Sequence, residues 1–190
     1  MQRDEIIEFM LAEDVGLRTT FVWRNDRYAH VVTLIEPDGE HRLLESTEGT
    51  PDEPWPPSPA FQQLSVQGKG DQRVAFLVGM SGTSHWSMSV EVSHPQRGLV
   101  FDVACRMNES VESLGSSYLA HGYTAVDQNT AVGRFGAMRS VIVLDSTVDS
   151  ATGSLSTSAD QLRVACLTAR FTMPYTCRWK YAVTLSCGDD

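Results

Sequence analysis

The sequence predicts an all-β domain, an antiparallel β-sandwich or barrel of about ten strands with one N-terminal α-helix. Three observations carry this. Residues 73–107, RVAFLVGMSGTSHWSMSVEVSHPQRGLVFDVACRM, read as three consecutive strands, and the second has clean period-two alternation. Turn signals built from Pro, Gly, Asn and Asp separate short strand-like runs along most of the chain. Only one segment, at the N-terminus, has convincing helical spacing.

That segment is 4–14. Ile6, Phe9, Met10 and Glu13 share one side of a helix, with Ile7 and Leu11 flanking them. Asp4 is placed to cap the first turn and Gly16 to end the last. The expected role of this helix is to lie across one end or open face of the sheet.

Residues 17–46 form a three-strand meander. Leu17, Thr19, Phe21 and Trp23 are answered by Tyr28, His30, Val32 and Leu34 across an Asn25-Asp26 turn. Pro37-Asp38-Gly39-Glu40 then turns the chain into a third strand, His41 to Ser46. The loop 47–60 holds five prolines between Thr47 and Pro59, which excludes an interior strand. Its Trp55 is either a ligand or docking contact on a rigid loop or an indole that pins the loop to the surface. Phe61 to Gln67 resumes a short strand.

The central meander, 73–107, is the best specified region. The Val74–Val78 run is apolar at every position and predicts a central strand covered on both faces. In the next strand Trp86, Met88, Val90 and Val92 share a dry face, opposite His85, Ser87, Ser89 and Glu91. Past the turn at Pro95 and Gly98, antiparallel pairing sets Val92 against Leu99, Val90 against Phe101, Met88 against Val103 and Trp86 against Cys105. On the wet face Ser89 meets Asp102, Ser87 meets Ala104 and His85 meets Arg106. A slip of one residue would put every apolar side chain in water, so the register is well determined.

Beyond it, Glu109 to Gly122 reads as loop with a turn of helix at Ser110 to Leu114, and Tyr118 to Val126 as a strand. Residues 137–187 contain the C-terminal strands, of which Ala137 to Leu144 is the clearest. Asp145 to Asp160 is Ser/Thr/Asp/Gly-rich and predicts a mobile loop. For 161–171 a helix (Ser158 and Gln161 as a capping box) competes with a strand, and the strand is preferred, paired with Arg178 to Cys187 across Pro174.

At 190 residues a single domain, 1–190, can bury roughly 70% of its unfolded surface without staples. A net charge of -9 without clustered Lys or Arg argues against a nucleic-acid partner. No apolar run approaches a membrane span, and the N-terminus has no signal-peptide pattern. The expectation is a soluble cytoplasmic protein with no membrane association. Four scattered cysteines, Cys105, Cys166, Cys177 and Cys187, read as reduced thiols, and without close ligand pairs no metal or cofactor is expected.

Chemistry-bearing patterns are sparse. Gly79-Met80-Ser81-Gly82-Thr83 approaches a nucleophile elbow but has Thr83 in place of the final glycine and a strand following it. Asp102 falls roughly 13 Å along the strand from His85, too far to complete a triad with Ser81. Glu91 and Asp102 resemble an acid/base pair without a cleft around them. No catalytic residue is assigned. The candidate ligand-binding residues are Trp55 and the wet face, His85, Ser87, Ser89, Glu91, Asp102 and Arg106. The runs WPPSPAFQQL (Trp55 to Leu64) and GMSGTSHWSMSVE (Gly79 to Glu91) resemble segments of a small family of uncharacterised bacterial proteins, a resemblance that implies no activity, cofactor or catalytic residue. The function expected is a non-enzymatic binding or interaction module with a protein partner or a second copy. The alternative is a ligand-holding barrel or small hydrolase with a site around His85, Ser87 and Glu91.

Overall fold

Strand pairing accounts for the backbone along almost the whole of the computed structural model, which describes residues 5–111, 113–146, 153–166 and 172–188. Among these, fifteen strands form two antiparallel sheets, and no α-helix occurs; one 3-10 turn spans Gly70–Gln72. The strands are β1 Glu5–Ala12, β2 Val15–Arg24, β3 Arg27–Glu36, β4 Gly39–Ser46, β5 Gln63–Gln67, β6 Val74–Ser81, β7 Ser84–Ser93 and β8 Gly98–Met107. They continue as β9 Leu114–Leu119, β10 Tyr123–Ala125, β11 Thr130–Phe135, β12 Met138–Leu144, β13 Gly153–Ser158, β14 Gln161–Cys166 and β15 Tyr175–Cys187. One sheet has the order β1-β2-β3-β4-β9-β14-β13 and the other β10-β11-β12-β15-β8-β7-β6-β5.

The inner faces meet in one core. Leu17, Phe21, Leu34, Tyr118 and Val164 from the first sheet oppose Met88, Phe101, Trp179, Tyr181 and Val183 from the second. A polar thread crosses it. His30 Nε2 shares a hydrogen bond with the Tyr118 hydroxyl at 2.9 Å, and Tyr118 in turn bonds the Tyr181 hydroxyl. Phe101 stacks on Tyr181 with centroids 5.0 Å apart. Such groups survive burial because each finds a partner.

The β7–β8 register is the expected one at every position, from Val92↔Leu99 to His85↔Arg106. The β2–β3 hairpin likewise pairs Leu17, Thr19, Phe21 and Trp23 with Leu34, Val32, His30 and Tyr28, and Asn25 takes a positive φ in the turn.

Other expectations are overturned. The predicted N-terminal helix is strand β1, paired with β2 so that Ile7 faces Thr19 and Phe9 faces Leu17. Ile7 and Phe9 are buried while Met10, assigned to the helical stripe, is 42% exposed. The segment also alternates at period two, and an isolated helix this short is marginal beside a ladder that satisfies the backbone. Gly16 ends no helix; it lies across from Met10, where a Cβ would come within 2.4 Å of the Phe9 carbonyl oxygen. Asp4 lies outside the described residues.

The sheets do not close into a barrel: β1 and β13 edge one, β10 and β5 the other. Strand β6 is not central. It is second from the edge, and Phe76, Val78 and Met80 are 41, 46 and 50% exposed. Within the expected mobile loop 145–160 lies β13, and within the expected loop Glu109 to Gly122 lies β9, with no helical turn at Ser110 to Leu114 among the described residues. Residues 147–152 lie outside the description, as do 167–171. The strand preferred for 161–171 is present as β14, but it pairs with β13 and β9, while β15 pairs with β8 and β12. Its capping-box residues Ser158 and Gln161 instead face each other across the β13–β14 turn, where Ala159 has a positive φ.

Candidate functional site

The outer face of the eight-stranded sheet is ordered in rows set by the register. One row reads Thr176, Arg106, His85, Met80; the next reads Arg178, Ala104, Ser87, Val78, Gln63. Because alternate residues point to one side of a strand, these side chains all face outward. Small residues, Ala104 and Ser87, form the floor between the taller Val78 and Met80 on one side and Arg106 and Thr176 on the other. The result is an open groove of about 540 Å³.

Its rim is completed by Gln62. The Gln62 side chain accepts from the Met80 backbone N–H at 2.7 Å and donates to the Met80 carbonyl at 3.1 Å. An amide side chain thus extends the β5–β6 ladder where the backbone has turned away. Gly79 permits this, since a Cβ there would sit 2.1 Å from the Ala60 carbonyl oxygen.

Of the predicted ligand residues, the structure brings His85, Ser87 and Arg106 together in the groove. Ser89 and Asp102 lie in the next row, outside it, and the Asp102 carboxylate is held by Arg178, whose Nε donates at 2.7 Å and whose Nη2 also donates. Glu91 is a further row away, across from Val100. Trp55 is elsewhere: it is half-buried on the proline-rich strap and meets Trp86 edge to face at 6.5 Å.

The nominal triad is geometrically absent. Ser81 is buried on the inner side of β6, its hydroxyl donating to the Glu53 carbonyl at 2.8 Å, whereas His85 is exposed on the outer face.

In two concavities on the seven-stranded sheet the arginines are already paired. Around the start of β3, Arg27 donates to both Asp26 carboxylate oxygens, at 2.9 and 2.8 Å, and to the Glu48 and Thr50 carbonyls. Arg24 is paired with Glu45 at 2.7 Å. Arg18 is divided between Glu8 and Glu40, each at 2.6 Å. Arg106 has no carboxylate within ion-pair distance among the described residues, and His85 has no hydrogen-bond partner there.

The groove wall is what sequence reasoning missed. Val78 belongs to a run read as doubly covered, Met80 was read only as part of the turn-like segment Gly79–Thr83, and Thr176 reached the site through the unexpected β15–β8 pairing. A signal was present: Gln63, Ser65 and Gln67 alternate as an edge strand would, and an edge strand beside β6 leaves its outer face open.

Among the described residues no group of His, Cys, Asp and Glu is arranged to hold a metal ion, and no helix is long and apolar enough to cross a membrane. No family model matches the chain, and no curated protein is similar to it.

Proposed function

We propose that the protein is a non-enzymatic binding module whose recognition surface is the groove on the outer face of the eight-stranded sheet. One observation carries this reading: Arg106, with no carboxylate partner among the described residues, faces the exposed apolar side chains of Val78 and Met80 across a concavity of about 540 Å³. Rigid, mostly apolar hollows of this size with a few polar groups are the usual form of a small-ligand site. All the groove side chains but Gln62 are carried by strands, and Gln62 is fixed by its two hydrogen bonds to the Met80 backbone, so the shape is preformed. A cytoplasmic setting fits the same reading, since the described cysteines are free thiols.

A fragment screen by backbone-amide NMR tests it. Hits are expected to shift the amides of Ser87, Ala104 and Thr176 together and to be recovered chemically unchanged. Hits that gather elsewhere, or turnover of a bound fragment, would overturn the proposal.

A further inference from the structure

We propose that the groove takes an organic monocarboxylate with an apolar chain, the carboxylate on Arg106 and His85 and the chain along Val78, Met80 and Ala104. This rests on the groove being the recognition surface and adds the class of its ligand.

Charge is the first argument. The chain carries 24 acidic residues against 15 basic ones, yet none of the residues lining the groove is acidic. Arg178, which shares the outer face, is neutralised by Asp102, while Arg106 is left without a carboxylate among the described residues. A free guanidinium presents parallel N–H donors that match a carboxylate fork. His85 is directly opposite Arg106 in the ladder and adds a ring N–H donor within reach of the same anion.

The count of charges selects the head group. One cation balances one negative charge, whereas sites for dianionic phosphate collect several cations or a fan of backbone N–H groups. The backbone N–H groups beneath this groove belong to strand ladders and are committed to neighbours.

The apolar wall selects the body. Val78 and Met80 are about half exposed, and the two lie in adjacent rows ending beside Ser87 and His85. An adaptable Met beside a small-residue floor accommodates a flexible chain better than a rigid ring system. A chain lying across the rows would cover both side chains while its carboxylate reached Arg106.

The test titrates the protein with decanoate below its micelle concentration, following backbone-amide shifts. Decanol, decylamine and decyl phosphate serve as matched comparisons. Decanoate is expected to shift the Ser87 and Ala104 amides saturably and to bind more tightly than the other three. Arg106→Gln is expected to weaken it roughly tenfold or more. Arg134→Gln, an equal charge change at an exposed position of β11, is expected to leave it unaltered. If decanol or decylamine binds as tightly, if decyl phosphate binds more tightly, or if Arg106→Gln has no effect, the ligand class is wrong although the groove stands. If none of the four moves the groove amides, the ligand class is likewise overturned, and the fragment screen alone decides the groove.

Discussion

His30 and Glu48 respond to pH in opposite directions because desolvation favours the neutral form of each. Burial pushes the His30 imidazole down to about 4 from its ordinary 6.5. The unfolded chain therefore takes up a proton below 6.5 that the folded chain refuses until about 4. Stability from this group is whole above 6.5 and is lost as pH falls through that window, up to about 3 kcal/mol. Glu48 behaves inversely: desolvation pushes its carboxyl up to about 7, against the pull of the Ser46 hydroxyl and Arg27. Its stability is whole below 4.5 and is lost as pH rises toward 7, by a smaller amount, about 1 kcal/mol, because the side chain is only partly covered. Urea unfolding at pH 4, 5.5 and 7 separates the two. Relative to the parent, His30→Gln gains as pH falls from 6.5 to 4, and Glu48→Gln gains as pH rises from 4.5 to 7. Parallel curves for parent and variants would refute the assignment. Neither residue stands out in the sequence, since His30 reads as one position in an alternating strand. By contrast His85, Ser87 and Arg106 were legible, because alternation alone determines which face a strand residue occupies.

Strand β1 shows what an element cannot reveal by itself. Ile6, Phe9, Met10 and Glu13 satisfy a helical stripe, while Ile7, Phe9 and Leu11 satisfy a strand, and both periods fit ten residues. The β2 ladder decides, through contacts the segment does not encode. Ile7 and Met10 discriminate between the two: the strand buries Ile7 and exposes Met10. Ile7→Ala is expected to cost about 2–5 kcal/mol in chemical unfolding, and Met10→Ala to stay within about 0.5 kcal/mol. A large loss at Met10 with none at Ile7 would restore the helix. Strand β13, GSLSTS, was unreadable for a different reason. Its one large apolar residue, Leu155, points inward, and the remaining small polar residues have loop composition. Only pairing with β14 makes it a strand. The central meander needed no such help, since two alternating strands joined by a short turn specify their own register.

Across the whole molecule, sequence-distant strands converge in ways local patterns do not show. Cys105 and Cys177 are directly opposed on β8 and β15, and Cys166 of β14, in the other sheet, is buried in the same core. Burial pushes the Cys105 thiol up to about 12, with Cys177 adding to the effect, so it is a poor nucleophile. Cys187, near the end of β15, is exposed. Iodoacetamide followed by mass spectrometry is expected to modify Cys187 in the native protein and Cys105, Cys166 and Cys177 only after denaturation. Rapid native modification of any buried thiol would contradict this packing. Sandwich against barrel was likewise undecidable locally, because closure depends on whether β5 and β10 meet, and they do not. The strap carrying Trp55 has an optical consequence. Trp55, Trp86 and Trp179 form a relay of edge-to-face indoles with centroids 6.5 and 6.3 Å apart. At such spacing their electronic transitions couple, so the near-ultraviolet circular dichroism of the protein is an intrinsic gauge of whether the strap is seated.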